Sequence, residues 1–222
     1  MATAIITGGS RGLGRALAAD LARDGWRVIV DARQLTDLPD GVLGIEGDVT
    51  DAAHRAALID VARNAGGLDL LVNNASALGP SPLPRLAEHP LDALEDLYRA
   101  NVVAPVALLQ LALPLLVESH GAIVNITSDA AVEAYEGWGG YGSSKAALDQ
   151  VSNVLAVEQP EIRVWAFDPG DMRTQMHQDA FPGEDISDRP EPETVVPALR
   201  TLIADAPPGG RVRAADLLAV AR

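Results

Sequence analysis

Short β-branched runs alternate with longer Ala/Leu-rich stretches along the whole sequence. Ala4 to Thr7, Arg27 to Val30, Leu68 to Val72, Ala122 to Thr127 and Ile162 to Phe167 read as strands, and the segments between them are long enough for helices. Several of these runs are apolar at almost every position, as strands covered on both faces are, whereas a strand with one wet face would alternate. The pattern predicts an α/β fold, a doubly wound parallel sheet with helices on both faces. With 222 residues, 48% of them hydrophobic, the chain suits a single domain spanning residues 1–222 with a substantial core. No internal repeat or low-complexity tract interrupts it.

The helical stretches carry start and stop signals. From about Gly12 to Asp24, Leu13, Leu17 and Leu21 fall on one stripe, and Gly25 follows as a left-handed cap. Thr50, followed by Asp51, is the expected cap of a helix from about Asp51 to Asn64, which Gly66 and Gly67 end. The longest apolar run, Val102 to Val117, contains Gln110 and two prolines and falls short of the ~20 residues needed to cross a bilayer; it reads as a buried helix. The stretch from Pro169 to Pro192 is charged, broken by Pro182, Pro190 and Pro192, and dotted with Met172, Met176 and Phe181. It reads as an excursion that covers a pocket, centred on about 171–192.

The formal charge is −14, from 17 basic and 31 acidic residues, so phosphate polyanions are repelled over long range. Nucleic acid and anionic membrane surfaces are not expected partners. The sequence has no cysteine, which excludes disulfides, thiolate metal sites and cysteine nucleophiles. His54, His89, His120 and His177 lie far apart with no acidic or cysteine partner at ligand spacing, so no metal is expected. Of the four, His177 alone is placed to meet a substrate. The sequence opens directly on a strand-like run, and the expected location is cytoplasmic.

Two local patterns carry chemistry. The first strand runs into T-G-G-S-R-G-L-G, with Gly8, Gly12 and Gly14 in the turn and at the helix start. Glycines let the backbone turn tightly and approach a pyrophosphate, and the helix N-terminus supplies free N–H groups. The spacing is G-x-x-x-G-x-G, which differs from the usual dinucleotide fingerprint, and a Gly-rich turn alone is weak evidence. The second pattern is Tyr141-x-x-x-Lys145. Residues four apart share a helix face, so the Lys145 ammonium is expected near the Tyr141 phenol, favouring its ionised form and tuning a proton donor toward neutral pH. Ser128 would arrive from a separate strand to hold a substrate oxygen beside the phenol. Pro105, four residues after Asn101, has no N–H and should leave the Asn101 main-chain oxygen free to hold a relay water. An isolated Y-x-x-x-K would be a solvated contact; the serine and asparagine at matching positions turn the reading toward carbonyl and alcohol chemistry.

Taken together, T-G-G-S-R-G-L-G at Thr7 to Gly14, G-D-V at Gly47 to Val49, N-N-A-S at Asn73 to Ser76, Asn101, Ser128, Tyr141-x-x-x-Lys145 and P-G-D-M-R-T at Pro169 to Thr174 match in order and spacing. The chain resembles the classical short-chain dehydrogenase/reductase family over nearly its whole length. The resemblance implies a single-domain Rossmann-like sheet of about seven parallel strands, a nicotinamide cofactor, and a homodimer or homotetramer. Two departures stand out. Ser76 replaces the more usual glycine, and the sequence closes soon after Arg211-Val212-Arg213 without the Gly-rich end typical of many members, which weighs against the subunit contact through the last strand and against the tetramer.

The resemblance also implies roles. Gly8, Ser10, Arg11, Gly12, Leu13 and Gly14 would cradle the cofactor, Asp48 and Val49 would meet the adenine, and Asn74 with Ala75 would flank its ribose. Pro169, Gly170 and Met172 would meet the nicotinamide carboxamide, and Thr174 would add a hydroxyl. The acidic position that bonds a ribose 2′-hydroxyl in NAD-dependent members falls on Ala32, with Arg33 next and Arg11 nearby; two guanidiniums suit a 2′-phosphate and favour NADP(H). Asp31, one place earlier, keeps NAD(H) as the alternative. Tyr141 would protonate the carbonyl oxygen, Ser128 orient it, and Lys145 bond the nicotinamide ribose and lower the phenol's pKa. Ala130, Tyr135, Trp138, Met172, Met176 and Phe181 would form a mostly apolar pocket, suited to a hydrophobic or aromatic ketone. The expected function is an NADPH-dependent carbonyl reductase; the alternatives are an NAD-dependent alcohol dehydrogenase and a cofactor-sensing protein without turnover.

Overall fold

The computed structural model describes residues 1–35 and 37–220, and in it seven strands make one parallel sheet. They are β1 (Thr3–Ile6), β2 (Arg27–Ala32), β3 (Val42–Glu46), β4 (Leu70–Asn73), β5 (Ala122–Ile126), β6 (Arg163–Asp168) and β7 (Gly210–Arg213), in the order β3-β2-β1-β4-β5-β6-β7. Register aligns Ile29, Ile5, Leu71, Ile123 and Val164 in one row across five strands, and Val30, Ile6, Val72, Val124 and Trp165 in the next. Successive strand residues point to opposite faces, so the two rows feed two separate cores. That is why these strands are apolar at every position.

Helices cover both faces. α1 (Gly12–Arg23) and α7 (Val196–Asp205) bring Leu17, Leu21, Leu199 and Leu202 to the Ile6 side, with α8 (Ala214–Val220) beside them. α2 (Ala52–Asn64), α4 (Ala104–Ser119) and α5 (Gly139–Glu158) bring Leu58, Leu108, Leu116 and Leu155 to the Ile5 side. α1 ends as its sequence predicts: Gly25 takes φ +84°, and the Trp26 N–H returns to the Leu21 carbonyl at 3.0 Å.

Three expectations need correction. Asp51, not Thr50, caps α2, accepting from Ala53 N at 2.8 Å, because the Thr50 hydroxyl instead donates to Asp48 Oδ1 at 2.7 Å. β3 was not expected from the sequence; it is an edge strand with mixed exposure, and Gly44 lets Leu35 and Leu38 close over its middle. The apolar run is part of a longer rod. α3 (Leu91–Tyr98), a π-helical turn (Arg99–Val103) and α4 form one 29-residue helix from Leu91 to Ser119, long and apolar enough to cross a membrane. Its Leu108, Leu109, Ala112 and Leu116 are instead packed into the sheet's core.

The connections after β1 and β4 lead to opposite sides of the sheet, which opens a crevice at the carboxyl ends of the strands between them, where doubly wound sheets hold ligands. Trp165 anchors the sheet behind it, fully buried, with its indole N–H donating to the Pro207 carbonyl at 3.1 Å. Trp165→Ala should therefore cost about 3–5 kcal/mol of unfolding free energy in denaturant titrations. Val157→Ala, at an exposed position on α5, should change it by less than about 0.5 kcal/mol.

Candidate active site

Apart from Gly14, every residue expected to hold a cofactor lines one cleft of about 1600 Å³ along the carboxyl ends of the strands. Gly8 and Gly12 sit at φ +66° and +56°, which side chains rarely adopt. A Cβ on Gly8 would lie 2.9 Å from Ala75 Cα, and one on Gly14 would meet the Asn74 amide at 2.5 Å. The turn is therefore pressed against the end of β4. Asn74 Nδ2 donates to the carbonyls of Thr7 (2.8 Å) and Gly8 (3.1 Å), and Thr7 Oγ1 accepts from the N–H groups of Asn74 and Ala75, both at 3.0 Å. The backbone cradle left open above α1 fits a dinucleotide pyrophosphate.

Asp31 has a different task from the one its position suggested. β2 runs on to Ala32, and the Asp31 carboxylate, 1% exposed, points inward. It accepts from Gly8 N at 2.7 Å and pairs with His54 Nε2 at 3.1 Å. Burial raises its pKa, while the Gly8 N–H and His54 oppose the rise. Arg11 and Arg33 line the cleft at this end. Asp48 also lines it, but its Oδ1 is held by the Thr50 N–H and hydroxyl, and that N–H chiefly lowers its pKa.

At the other end, β5 and α5 bring Ser128, Tyr141 and Lys145 into the cleft. Lys145 is 2% exposed and donates to the Ile126 carbonyl at 2.8 Å, with its ammonium 5.5 Å from the Tyr141 ring centroid. The electrostatics differ from the expected tuning. Burial pushes the phenol above its ordinary range; hydroxyl contacts from Ser76 and Ser128 pull it down, and the Asp129 and Asp168 charges add to the rise. Desolvation outweighs the neighbouring ammonium, which burial itself lowers to about 8 against the pull of Asp149. The Ser128 hydroxyl donates to Asp129 Oδ1 at 2.9 Å and accepts from Ala130 N at 3.2 Å.

Asn101 is buried behind this group, outside the cleft wall. Its side chain clamps the segment after β4, accepting from Ala77 N (2.8 Å) and Ser76 Oγ (3.2 Å) and donating to Ala77 O (2.9 Å) and Ser144 Oγ (3.0 Å). Its main chain lies in the π-helical turn, where the Ala104 N–H reaches back to Arg99 O and Pro105 has no N–H for Asn101. Ser76, a departure from the family pattern, thus contacts two members of the expected set. A serine where glycine is usual was the only signal for it.

The covering segment holds a short helix, α6 (Gln175–Ala180), capped by Thr174 Oγ1, which accepts from His177 N at 3.2 Å. Arg173 N donates to Pro190 O at 2.8 Å, Ser81 Oγ donates to Asp179 O at 2.6 Å, and a Cβ on Gly12 would touch Thr174 Cγ2 at 3.5 Å. Trp138, Met172, Met176 and His177 line the cleft, and Phe181 packs at a tilt against Trp138 and His177, at 5.9 and 4.9 Å between centroids. Ala130 packs behind Tyr141. Tyr135 is not part of the pocket wall: it is 43% exposed and its single phenolic proton is within hydrogen-bond reach of both Glu133 Oε2 (2.8 Å) and Asp129 Oδ2 (3.0 Å). Asp96, Asp171 and Asp179 also line the cleft, so its wall is more polar than expected.

A Gly-rich cradle at a topological switch point, with a buried Ser-Tyr-Lys set at the far end of the same cleft, defines a nucleotide-dependent oxidoreductase. The family model for short chain dehydrogenases matches residues 2–185, and the chain belongs to that family, whose members act on alcohol and carbonyl groups. It is 35% identical over 171 residues to the short chain dehydrogenase penD of Penicillium thymicola (69% of this chain, 62% of the fungal protein, so less than two thirds of that relative's length). It is 34% identical over 186 residues to a benzil reductase ((S)-benzoin forming) of Bacillus subtilis, covering 78% and 75% of the two chains. A short chain dehydrogenase from Shigella flexneri solved with NADP superposes with a TM-score of 0.85 at 28% identity, over 96% of each chain.

The depressed Lys145 pKa has a stability consequence. Its folded value, about 8, lies below the ordinary 10.5, so its contribution is full above the unfolded value and is lost as pH falls through the folded one. Relative to Lys145→Met, the wild-type unfolding free energy should rise by about 3 kcal/mol between pH 8 and 10.5. Parallel curves for the two proteins would contradict this burial.

Proposed function

We propose that the protein is an NADPH-dependent carbonyl reductase that also runs in reverse as an alcohol dehydrogenase. The observation that carries the cofactor choice is the inward commitment of Asp31 to Gly8 and His54, which leaves Arg11 and Arg33 lining the adenosine end of the cleft. A carboxylate facing the ribose would bond a 2′-hydroxyl; guanidiniums there suit a 2′-phosphate. The NADP complex of the Shigella relative supports the same choice. Gly8, Ser10, Gly12 and Leu13 would hold the pyrophosphate, Asp48, Val49, Asn74 and Ala75 the adenosine, and Pro169, Gly170, Met172 and Thr174 the nicotinamide end.

The bound cofactor supplies the hydride. Tyr141 gives its phenolic proton to the carbonyl oxygen, which Ser128 holds in place, and in oxidation takes it back. Lys145 stabilises the phenolate that results, which matters because burial alone holds the phenol protonated. The proton is renewed through a water held at the Asn101 carbonyl, which Pro105 leaves without an α-helical partner. Trp138, Met176 and Phe181 beside Tyr141 favour an aromatic or apolar ketone, in keeping with the benzil reductase relative.

A ketone panel offered with NADPH and NADH tests the reading. NADPH should be preferred, and replacing Arg11 and Arg33 by alanine should raise the KM for NADPH about tenfold or more while leaving that for NADH nearly unchanged. Equal use of both cofactors would defeat the arginine argument, and no turnover across a broad panel would leave a cofactor-sensing protein instead. Tyr141→Phe should remove at least about 99% of kcat with little change in cofactor affinity; substantial residual turnover would contradict its role as the acid.

A further inference from the structure

We propose that Arg211 is a positioning residue for this chemistry, fixing the Ser128 main chain against β6 and sharing Asp149 with Lys145. The proposal rests on the roles given above to Ser128, Tyr141 and Lys145. From β7, one guanidinium reaches three elements of the site. Nη2 donates to the Ser128 carbonyl at 3.0 Å and to Asp168 Oδ2 at 2.7 Å; Nη1 donates to Asp149 Oδ2 at 2.6 Å and lies 3.5 Å from Thr127 Oγ1. Asp168 in turn accepts from Gly170 N at 3.0 Å through its other oxygen, so the nicotinamide-end loop is tied to the same cation. Asp149 is one helical turn beyond Lys145 on α5, and its second oxygen is buried with no hydrogen-bond partner among the described residues. Arg211 therefore joins the end of β5, the end of β6 and the helix that carries the tyrosine and lysine.

The charges give the contact a second effect. Lys145, Asp149, Asp168 and Arg211 sum to zero. Further titratable groups at this end are Tyr141, whose ring centroid is 5.5 Å from the Lys145 ammonium, Asp129 from the turn after β5, Arg213, whose charge acts on Asp168, His89, which packs on Gly140, and His177 on the cleft wall. Without Arg211, the Asp149 carboxylate would act on Lys145 unopposed and hold its proton to higher pH. A bidentate fork matters as well as a charge, because an ammonium cannot span Asp149 and Asp168 while bonding the Ser128 carbonyl.

Lys145 is the only lysine in the sequence, so [ε-13C]lysine labelling gives one side-chain resonance whose titration midpoint belongs to it alone. Wild type should titrate near 8, and Arg211→Met should move the midpoint up by about one pH unit. Arg211→Met/Asp149→Asn should return it, and Asp149→Asn alone, which keeps the arginine, should move it down. The rising limb of the pH profile for alcohol oxidation should follow the same order. Arg211→Lys should leave the midpoint in place and lower kcat about tenfold, with the KM for cofactor little changed. An unchanged midpoint in Arg211→Met or Asp149→Asn, or a kcat in Arg211→Lys equal to wild type per folded molecule, overturns the proposal. The lysine titration does not depend on turnover, so a chain that reduces no ketone defeats the catalytic reading while the midpoints still decide what Arg211 does.

Discussion

Lys145 keeps an ammonium out of water between the end of β5 and the phenol of Tyr141, and much of the site is arranged around that cost. Moving a cation into a low-dielectric interior is unfavourable by several kcal/mol unless partners replace the lost hydration. Here the Ile126 carbonyl accepts one hydrogen bond and Asp149 supplies a countercharge. That is incomplete compensation, and the pKa of about 8 records it. A lysine so placed keeps its charge beside the phenol against the cost of burial, and the proposed acid and base chemistry draws on that charge to stabilise the phenolate.

The same logic reappears at the opposite end of the cleft with the sign reversed. Asp31 is a buried carboxylate that stays inside because Gly8 N–H and His54 bond it. By gripping Gly8 it holds the glycine turn against β4, where Asn74 and Thr7 complete the clamp. One interaction thus shapes the glycine turn and commits the Asp31 carboxylate to Gly8 and His54. Shape and proposed cofactor preference share a cause.

How much of this was legible in the sequence depends on the range of the interaction. The apolar strands, the α1 stripe, the glycine turn and the Tyr141, Lys145 pair are local or periodic signals, and the fold brings them together as expected. The edge strand β3 was not, because half-exposed positions around Gly44 carry no continuous apolar run. The inward turn of Asp31 depends on His54, 23 residues away, and a strand boundary one residue off would have reversed its meaning. Arg211 meets Asp149 and Ser128 across 62 and 83 residues, and no spacing rule announces such a contact. The direction of the Tyr141 shift was misread for the same reason: the neighbouring lysine is visible in the sequence, but the burial that outweighs it is a property of the assembled site.

The charges beneath the site and those of the segment covering it form two separate networks. Arg211 pairs with both Asp149 and Asp168 within the fold, although the Asp129 and Asp168 charges still act on Tyr141. The cleft wall carries charges of both signs, Asp96, Asp171 and Asp179 with Arg99 and Arg173. Arg173 is already paired with Glu191 and Asp171 with His177 and Arg189, which ties the segment's charges to its own shape. The rings of Trp138, Phe181 and Tyr141 pack edge-on and at a tilt, which joins the end of α6 to the start of the helix that carries Tyr141.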